Sequence, residues 1–180
     1  MFLILATGGG KSAVYILVHR LTGKMVVVFE PLISIIQDQV LNCKRLGVTT
    51  CAVIAGATLP AEAKLAEQGK VGVLFMSPEA LPGWKARLVS LAKANNIGLL
   101  AVDEVHTTAL WQFRHLAFSQ LAVLNTQPDL KTVPKLWTSG TVNLRVEQEV
   151  LLLLLLLLLL FIIGGGSNHE ASRRLYRLSG

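Results

Sequence analysis

The chain has 180 residues, of which 52% are hydrophobic, and a formal net charge of +6. This length allows one domain with a sizeable core, and the hydrophobic fraction is high for a soluble protein, in part because of one leucine tract. The positive charge suits a polyanionic partner, although a generic basic surface would carry the same charge.

Cysteine usage and the start of the chain argue against two further classes. Cys43 and Cys51 form no C-x-x-C pair, which predicts no zinc site and two reduced, buried thiols in an intracellular protein. Residues 1–6 are apolar, too few for a secretory signal and without a charged start, so they are better explained as a core strand.

The first predicted element is a strand over residues 2–6, followed by Thr7-Gly8-Gly9-Gly10-Lys11-Ser12 and a predicted helix over 13–20. Glycines adopt backbone angles closed to other residues, so successive N–H groups can point toward phosphate oxygens at the positive end of the helix. In such a loop the lysine meets the β- and γ-phosphates and the hydroxyl binds Mg²⁺, which gives these roles to Lys11 and Ser12. The pattern G-x-x-x-x-G-K-[ST] is not fully met, because Leu5 stands at its first glycine. A glycine turn followed by an exposed lysine is the alternative.

Short apolar runs then alternate with helical stretches. Further candidate strands are residues 25–29, 50–54, 71–76, 97–102 and 135–138, and candidate helices are 60–68, 84–93 and 116–124. Another helix is predicted to begin with a capping box of Ser34 and Gln37 and to end before Gly47. Because the strands are apolar on both faces, this alternation predicts an α/β fold, a mostly parallel sheet with helices on both faces.

An acidic sequence, Asp103-Glu104-Val105-His106, directly follows the predicted strand 97–102. Two adjacent carboxylates at a strand end are costly unless a cation lies there. Mg²⁺ would be that cation, held by Asp103 directly or through water, and Glu104 would orient or deprotonate the water that attacks the γ-phosphate. A solvated acidic turn is the alternative, and the phosphate loop favours the first interpretation. ATP and Mg²⁺ are therefore the expected ligands.

Together these segments resemble the successive motifs of RecQ-type DNA helicases of superfamily 2. The resemblance rests on residues 7–12, on Pro31-Leu32-Ile33-Ser34-Ile35-Ile36-Gln37-Asp38-Gln39-Val40, on Ser77-Pro78-Glu79 and on residues 103–106, in the family's order and spacing. It covers about residues 1–150 and implies a RecA-like P-loop NTPase domain with single-stranded or tailed duplex DNA as partner.

Ser139-Gly140-Thr141 is similar to the family's next motif, Thr-Ala-Thr. The resemblance implies that His106 relays between the acidic residues and Ser139 and Thr141, so these three are candidate coupling residues. A simple cap at the strand end is the alternative role of His106.

Two groups are candidate DNA contacts: Ser34, Gln37 and Asp38, and Trp111, Phe113 and Arg114. The first group stands at a helix start that can touch a DNA backbone, although capping alone would explain its serine. The second group lies where the family has an aromatic-rich loop, slightly shorter here, that couples DNA contact to ATP hydrolysis. Its side chains can stack on bases or belong to the core.

Two family features are expected to be missing. The glutamine-containing segment that reads adenine precedes the phosphate loop in the family, whereas this sequence begins at the loop's own strand. A second RecA-like domain with the arginine finger should follow residue 150, where a poly-leucine tract (151–163) and a short basic tail (164–180) stand instead. The sequence therefore predicts a RecA-like domain over residues 1–150, incomplete at its N-terminus, that is inactive or very slow alone.

The predicted function is that of the ATP-binding half of a 3′–5′ DNA helicase, as a truncated or degenerate copy. The alternatives are a catalytically inactive nucleotide- or DNA-binding remnant and a membrane-tethered fragment. As a helix, residues 150–163 would reach about 21 Å, short of the roughly 30 Å hydrocarbon core, so membrane insertion is not the favoured interpretation. The expected location is the nucleus in a eukaryote and the cytoplasm otherwise.

Overall fold

The structure is a computed structural model that describes residues 10–58, 60–104 and 120–139, together with the backbone of residues 2–4. Several predicted site residues lie outside this part of the chain: Thr7, Gly8, Gly9, His106, Trp111, Phe113, Arg114 and Thr141. The leucine tract and the basic tail also lie outside the described residues.

The described residues contain six strands that form one sheet. The strands are β1 (Phe2–Ile4), β2 (Met25–Phe29), β3 (Thr50–Val53), β4 (Val73–Met76), β5 (Ile97–Val102) and β6 (Lys135–Ser139). Their order across the sheet is β1-β6-β5-β2-β4-β3, and every pairing between neighbours is parallel. The parallel α/β prediction is confirmed, and all carboxyl ends of the strands share one edge.

Helices cover both faces of the sheet, as predicted. They are α1 (Lys11–Thr22), α2 (Ile33–Arg45), α3 (Ala63–Glu67), α4 (Leu81–Lys93), α5 (Val123–Thr126) and α6 (Pro128–Lys131), with a 3₁₀ turn at Pro78–Ala80. Side chains of β2 point alternately to the two faces: Val27 packs in the core under α4, while Val26 packs in the core under α1 and α2. Every residue of β2 and β4 is buried, which explains their uninterrupted apolar sequences.

The predicted capping box at Ser34 is wrong. The N-cap is Leu32, two residues before Ser34 and in extended backbone, and no side chain caps the helix, which begins at Ile33. The side chain of Glu30 takes part in this turn instead, because its Oε1 accepts a hydrogen bond from the Leu32 N–H at 3.0 Å. Gly47 follows the helix end as expected, with a positive φ of 72°.

Other predicted elements differ from the structure in their bounds. α1 is one turn longer than predicted, α3 is shorter, and α4 begins before Trp84, directly after the 3₁₀ turn. Residues 116–119 of the predicted helix 116–124 lie outside the described residues; residues 120 and 121 are helical, and α5 begins at Val123. Cys43 and Cys51 are buried and free, as expected, and none of the helices described has the length and apolarity needed to cross a bilayer.

Candidate functional site

The candidate site lies at the carboxyl edge of the sheet, where three neighbouring strands end. The chain between β1 and α1 ends at Gly10, whose φ of 86° is open to glycine and strained for other residues. Lys11 is the first residue of α1, and Asp103 and Glu104 directly follow β5. Since β6 lies between β1 and β5, its last residues face the same place.

Lys11 joins the two predicted catalytic carboxylates. Its Nζ lies 3.1 Å from Asp103 Oδ1 and donates a hydrogen bond to Glu104 Oε1. Burial alone would lower the pKa of Lys11, but the hydrogen bond to Glu104 and the charge of Asp103 outweigh burial and raise it above its usual value. The lysine is therefore a firmly charged counter-ion of the acidic pair.

Asp103 is 1% exposed, and hydrogen bonds from three elements hold it. Its Oδ1 accepts from Thr138 Oγ1 on β6 at 2.7 Å and from the backbone N–H of Glu104 at 2.8 Å. Its Oδ2 accepts from the Tyr15 hydroxyl on α1 at 3.1 Å. A buried carboxylate is tolerated when it is paired and hydrogen-bonded, and Asp103 meets both conditions.

Glu104 has an unusual backbone. Its φ is 50°, in the left-handed region that non-glycine residues rarely adopt. Such a conformation persists when the surroundings impose it, and it concentrates at functional sites. Here the backbone bond to Asp103 and the ion pair with Lys11 hold it in place.

A cleft of about 440 Å³ opens beside these residues. It is lined by Gly10, Lys11 and Ser12 at the end of the phosphate loop, by both carboxylates, and by residues of α2 that include Gln39. Ser12 Oγ donates a hydrogen bond to Gln39 Oε1 at 2.9 Å. The hydroxyl predicted to bind Mg²⁺ is thus held by a glutamine of the neighbouring helix.

Glu30 is a further buried acid near this edge, at the end of β2. It is 0% exposed, and Oε2 has no hydrogen-bond partner in the part of the chain that the structure describes. Burial raises the pKa of Glu30 to about 8, and the charges of Asp103 and Glu104 add to this effect, whereas the Leu32 N–H and Lys11 oppose it.

The structure brings together five predicted residues, Gly10, Lys11, Ser12, Asp103 and Glu104, around one cleft. Ser139 is buried at the end of β6. The candidate DNA contacts of α2 are exposed near the start of the helix, away from the cleft lining: Ser34, Gln37 and Asp38.

The sequence interpretation missed four residues that contribute to the candidate site: Tyr15, Glu30, Gln39 and Thr138. Glu30 had a local signal, since it is a charged residue directly after an apolar strand. Tyr15 stands one helical turn after Lys11, the spacing that places two side chains on one helix face. Gln39 lies in the segment 31–40 that carries the family resemblance, but nothing in the sequence pairs it with Ser12. Thr138 carried no signal, because its partner is distant in sequence.

The oxygen donors at this edge suit Mg²⁺, which is usually held by one or two carboxylates and by substrate phosphates. Asp103 and Glu104 supply the carboxylates, and the ammonium of Lys11 already places a positive charge between them. Among the described residues there is no cluster of three or more potential side-chain ligands of the His, Cys, Asp and Glu types. The donor set fits a magnesium–nucleotide better than a metal held by protein alone.

Comparison with known proteins identifies the family. The sequence profile of the DEAD/DEAH box helicases matches residues 1–150. The chain belongs to this family. This chain is also 36% identical over 158 residues to the putative ATP-dependent DNA helicase Q1 of Caenorhabditis elegans. The match covers 82% of this chain and 24% of the relative.

Two further relatives are RecQ-type proteins as well. The ATP-dependent DNA helicase Q-like SIM of Arabidopsis thaliana is 33% identical, with 81% of this chain and 18% of the relative covered. The bifunctional 3′–5′ exonuclease/ATP-dependent helicase WRN of Mus musculus is 32% identical, with 82% and 10% covered. The predicted RecQ resemblance is confirmed. The chain spans a quarter or less of the length of these three relatives.

Solved structures agree on the fold. A hypothetical ATP-dependent RNA helicase from Sulfolobus tokodaii superposes with a TM-score of 0.56 at 15% identity, covering 83% of this chain and 44% of that one. The DUF1998 helicase MrfA, solved with DNA and AMPPNP, superposes with a TM-score of 0.62 at 14% identity. This superposition covers 83% of this chain and 23% of MrfA. At such low identity the likeness establishes a RecA-like helicase fold for the DEAD/DEAH box chain.

Proposed function

We propose that this chain is the ATP-binding part of a RecQ-like 3′–5′ DNA helicase, in which ATP hydrolysis drives movement on single-stranded DNA. The observation that carries the proposal is the ion-paired cluster of Lys11, Asp103 and Glu104 beside the cleft that begins at Gly10. A cation, two carboxylates and the start of a helix share one cleft, which supports binding of a phosphate chain there. The names of the RecQ-type relatives support the same activity.

In this proposal Lys11 exchanges partners when ATP binds. Its ammonium leaves the two carboxylates and meets the β- and γ-phosphates, while the N–H groups at the start of α1 face phosphate oxygens. Gly10 supports this geometry, because its positive φ turns the chain tightly into the helix.

Ser12, Asp103 and Glu104 are the residues that would hold or face Mg²⁺. When bound, Mg²⁺ neutralises charge on the transferring phosphoryl group. Thr138 and the Glu104 N–H donate to Asp103 Oδ1 independently of Lys11, so Asp103 would hold Mg²⁺ through water rather than directly. Glu104, 8% exposed and lining the cleft, is the residue that would orient or deprotonate the attacking water.

DNA is the proposed macromolecular partner, as single strands or tailed duplexes. Ser34, Gln37 and Asp38 support this proposal, because they are exposed near the start of α2 at the carboxyl edge that also carries the cleft. Polar side chains and a helix N-terminus are common contacts of DNA phosphates. The eukaryotic RecQ-type relatives favour a nuclear location.

Calorimetric titration with Mg²⁺–ATP tests the nucleotide site. Wild type is expected to bind weakly, and Lys11→Ala should lose most of the affinity because the cation that meets the phosphates is gone. Lys70→Ala is the matched control, since Lys70 is exposed before β4, at the opposite edge of the sheet. Equal binding by wild type and Lys11→Ala would refute the assignment.

Turnover assays test hydrolysis separately. Glu104→Gln should abolish any ATPase activity while nucleotide binding persists, because the amide cannot accept the proton of the attacking water. An arginine finger is worth on the order of 10³ to 10⁵ in rate, so the chain alone should be slow. Binding without any turnover, with or without single-stranded DNA, would instead favour an inactive nucleotide-binding protein.

A further inference from the structure

A hydrogen-bonded trio connects the three elements that surround the candidate site. The Tyr15 hydroxyl on α1 donates to Asp103 Oδ2 at 3.1 Å and lies 3.2 Å from Thr138 Oγ1. Thr138 Oγ1 in turn lies 2.7 Å from Asp103 Oδ1, to which it donates. Tyr15 and Thr138 are 0% exposed, so water cannot replace either donor without rearrangement.

The trio matters because of what happens to Asp103 when Lys11 leaves. Among the residues that the structure describes, Lys11 is the cation that contacts this carboxylate, and the proposed function moves Lys11 to the phosphates. Asp103 is 1% exposed, and a buried carboxylate that loses its counter-ion and its donors is strongly disfavoured. After that exchange, the neutral donors that remain are Tyr15, Thr138 and the Glu104 N–H.

Tyr15 is well suited to this task. Its hydroxyl is buried and donates to Asp103 Oδ2 at 3.1 Å. Its ring is anchored in the core under α1, among the side chains that include Val26 and Val28. The donor is therefore fixed by packing and independent of the nucleotide.

We propose that Tyr15 and Thr138 are positioning residues that hold the Asp103 carboxylate in the orientation needed for a divalent cation while Lys11 is engaged with phosphate. The proposal rests on the proposed nucleotide site. It assigns a specific task to a buried tyrosine of the phosphate-loop helix and to the residue that precedes Ser139 on β6.

The test compares nucleotide affinity with and without a divalent cation. A fluorescent ADP analogue is titrated into the full chain in excess Mg²⁺ and again in EDTA, and Mn²⁺ bound to the protein–ADP complex is counted by electron paramagnetic resonance. Tyr15→Phe keeps the ring and removes the donor, and Thr138→Val does the same for the threonine. Thr138→Ser restores a hydroxyl, and Thr126→Val, at an exposed threonine of α5, is the matched control.

Tyr15→Phe and Thr138→Val are each expected to weaken binding in Mg²⁺ about tenfold, the effect of one lost hydrogen bond to a charged group. The affinity in EDTA should change by less than about twofold. Thr138→Ser should recover most of the Mg²⁺-dependent affinity, and Thr126→Val should equal wild type. Circular dichroism confirms that each variant is folded, and the threonine series decides the question if Tyr15→Phe is not.

Two results would overturn the proposal in different ways. Equal losses in Mg²⁺ and EDTA, or no loss in either, would mean that the trio only supports packing, while the nucleotide site would stand. If wild type bound no nucleotide, or Lys11→Ala bound as well as wild type in both solutions, the proposed function itself would fail and the positioning role with it.

Discussion

Glu30 makes the stability of this domain dependent on pH in a direction opposite to that of a surface carboxylate. Burial, reinforced by the charges of Asp103 and Glu104, raises the pKa of Glu30 from its ordinary value of 4.5 to about 8. Between these values the folded chain holds a proton on Glu30, whereas the unfolded chain has released it. The free energy of unfolding must therefore fall as pH rises through this window, and Glu30→Gln should remove that fall.

The magnitude follows from proton linkage. One proton of difference changes the free energy of unfolding by about 1.4 kcal/mol per pH unit. Between about pH 5.5 and 7.5, the wild type should lose at most about 2.7 kcal/mol relative to Glu30→Gln. The glutamine keeps an oxygen for the Leu32 N–H, so the turn that begins α2 should survive the substitution.

Urea denaturation at half-unit steps of pH measures this difference. The quantity to compare is the free energy of unfolding of Glu30→Gln minus that of wild type, because other titrating groups cancel in it. Asp38→Asn, which removes an exposed carboxylate from α2, controls for the loss of one negative charge. Parallel pH profiles for wild type and Glu30→Gln would refute the buried, protonated state of Glu30.

Three further predictions concern the cleft and the end of the chain. Gly10→Ala should lower the free energy of unfolding by about 1 to 2 kcal/mol, because the φ of Gly10 is 86°. Gly83→Ala in α4 should raise the free energy of unfolding slightly. Urea denaturation that gave both changes the same sign would contradict this prediction. Gln39→Leu removes the hydrogen-bond partner of the Ser12 hydroxyl. Calorimetry should then show Mg²⁺–ADP binding that is roughly two- to fivefold tighter. Weaker binding would instead show that Gln39 contributes to nucleotide binding. Ending the chain at Glu149 should keep nucleotide binding and reduce the aggregation measured by light scattering. If the shortened chain lost its folded circular dichroism spectrum, the leucine tract would be needed for the core.

The central strands β2, β4 and β5 were predictable because they are buried on both faces and therefore appear as apolar runs. Each of the six predicted strands lies within two residues of its predicted ends. The phosphate loop and the acidic residues were predictable for a related reason. Parallel strands carry their functional residues at the carboxyl edge, so the residues that follow two such strands are natural neighbours.

The hydrogen-bond partners could not be predicted in the same way. Tyr15, Asp103 and Thr138 meet because β6 lies between β1 and β5, and strand order is a long-range property that local patterns do not encode. The wrong capping box at Ser34 has a local cause. The Glu30 side chain accepts a hydrogen bond from the Leu32 N–H, and the helix begins at Ile33, which leaves Ser34 exposed inside the first turn.

Under the proposed function, the position of Lys11 would link nucleotide binding to cation binding. Without ligand, Lys11 neutralises Asp103 and Glu104, and both carboxylates are largely buried. Phosphate oxygens can attract the ammonium only by taking it from the acidic pair, which would leave two like charges next to each other at low exposure. A divalent cation that arrives with the nucleotide removes this penalty, so each ligand should favour the other by the same factor. Under the proposed function we therefore expect the carboxylates to make the site selective for a metal-bound nucleotide over the free one, with Tyr15 and Thr138 supporting that selectivity without exposing Asp103 to water.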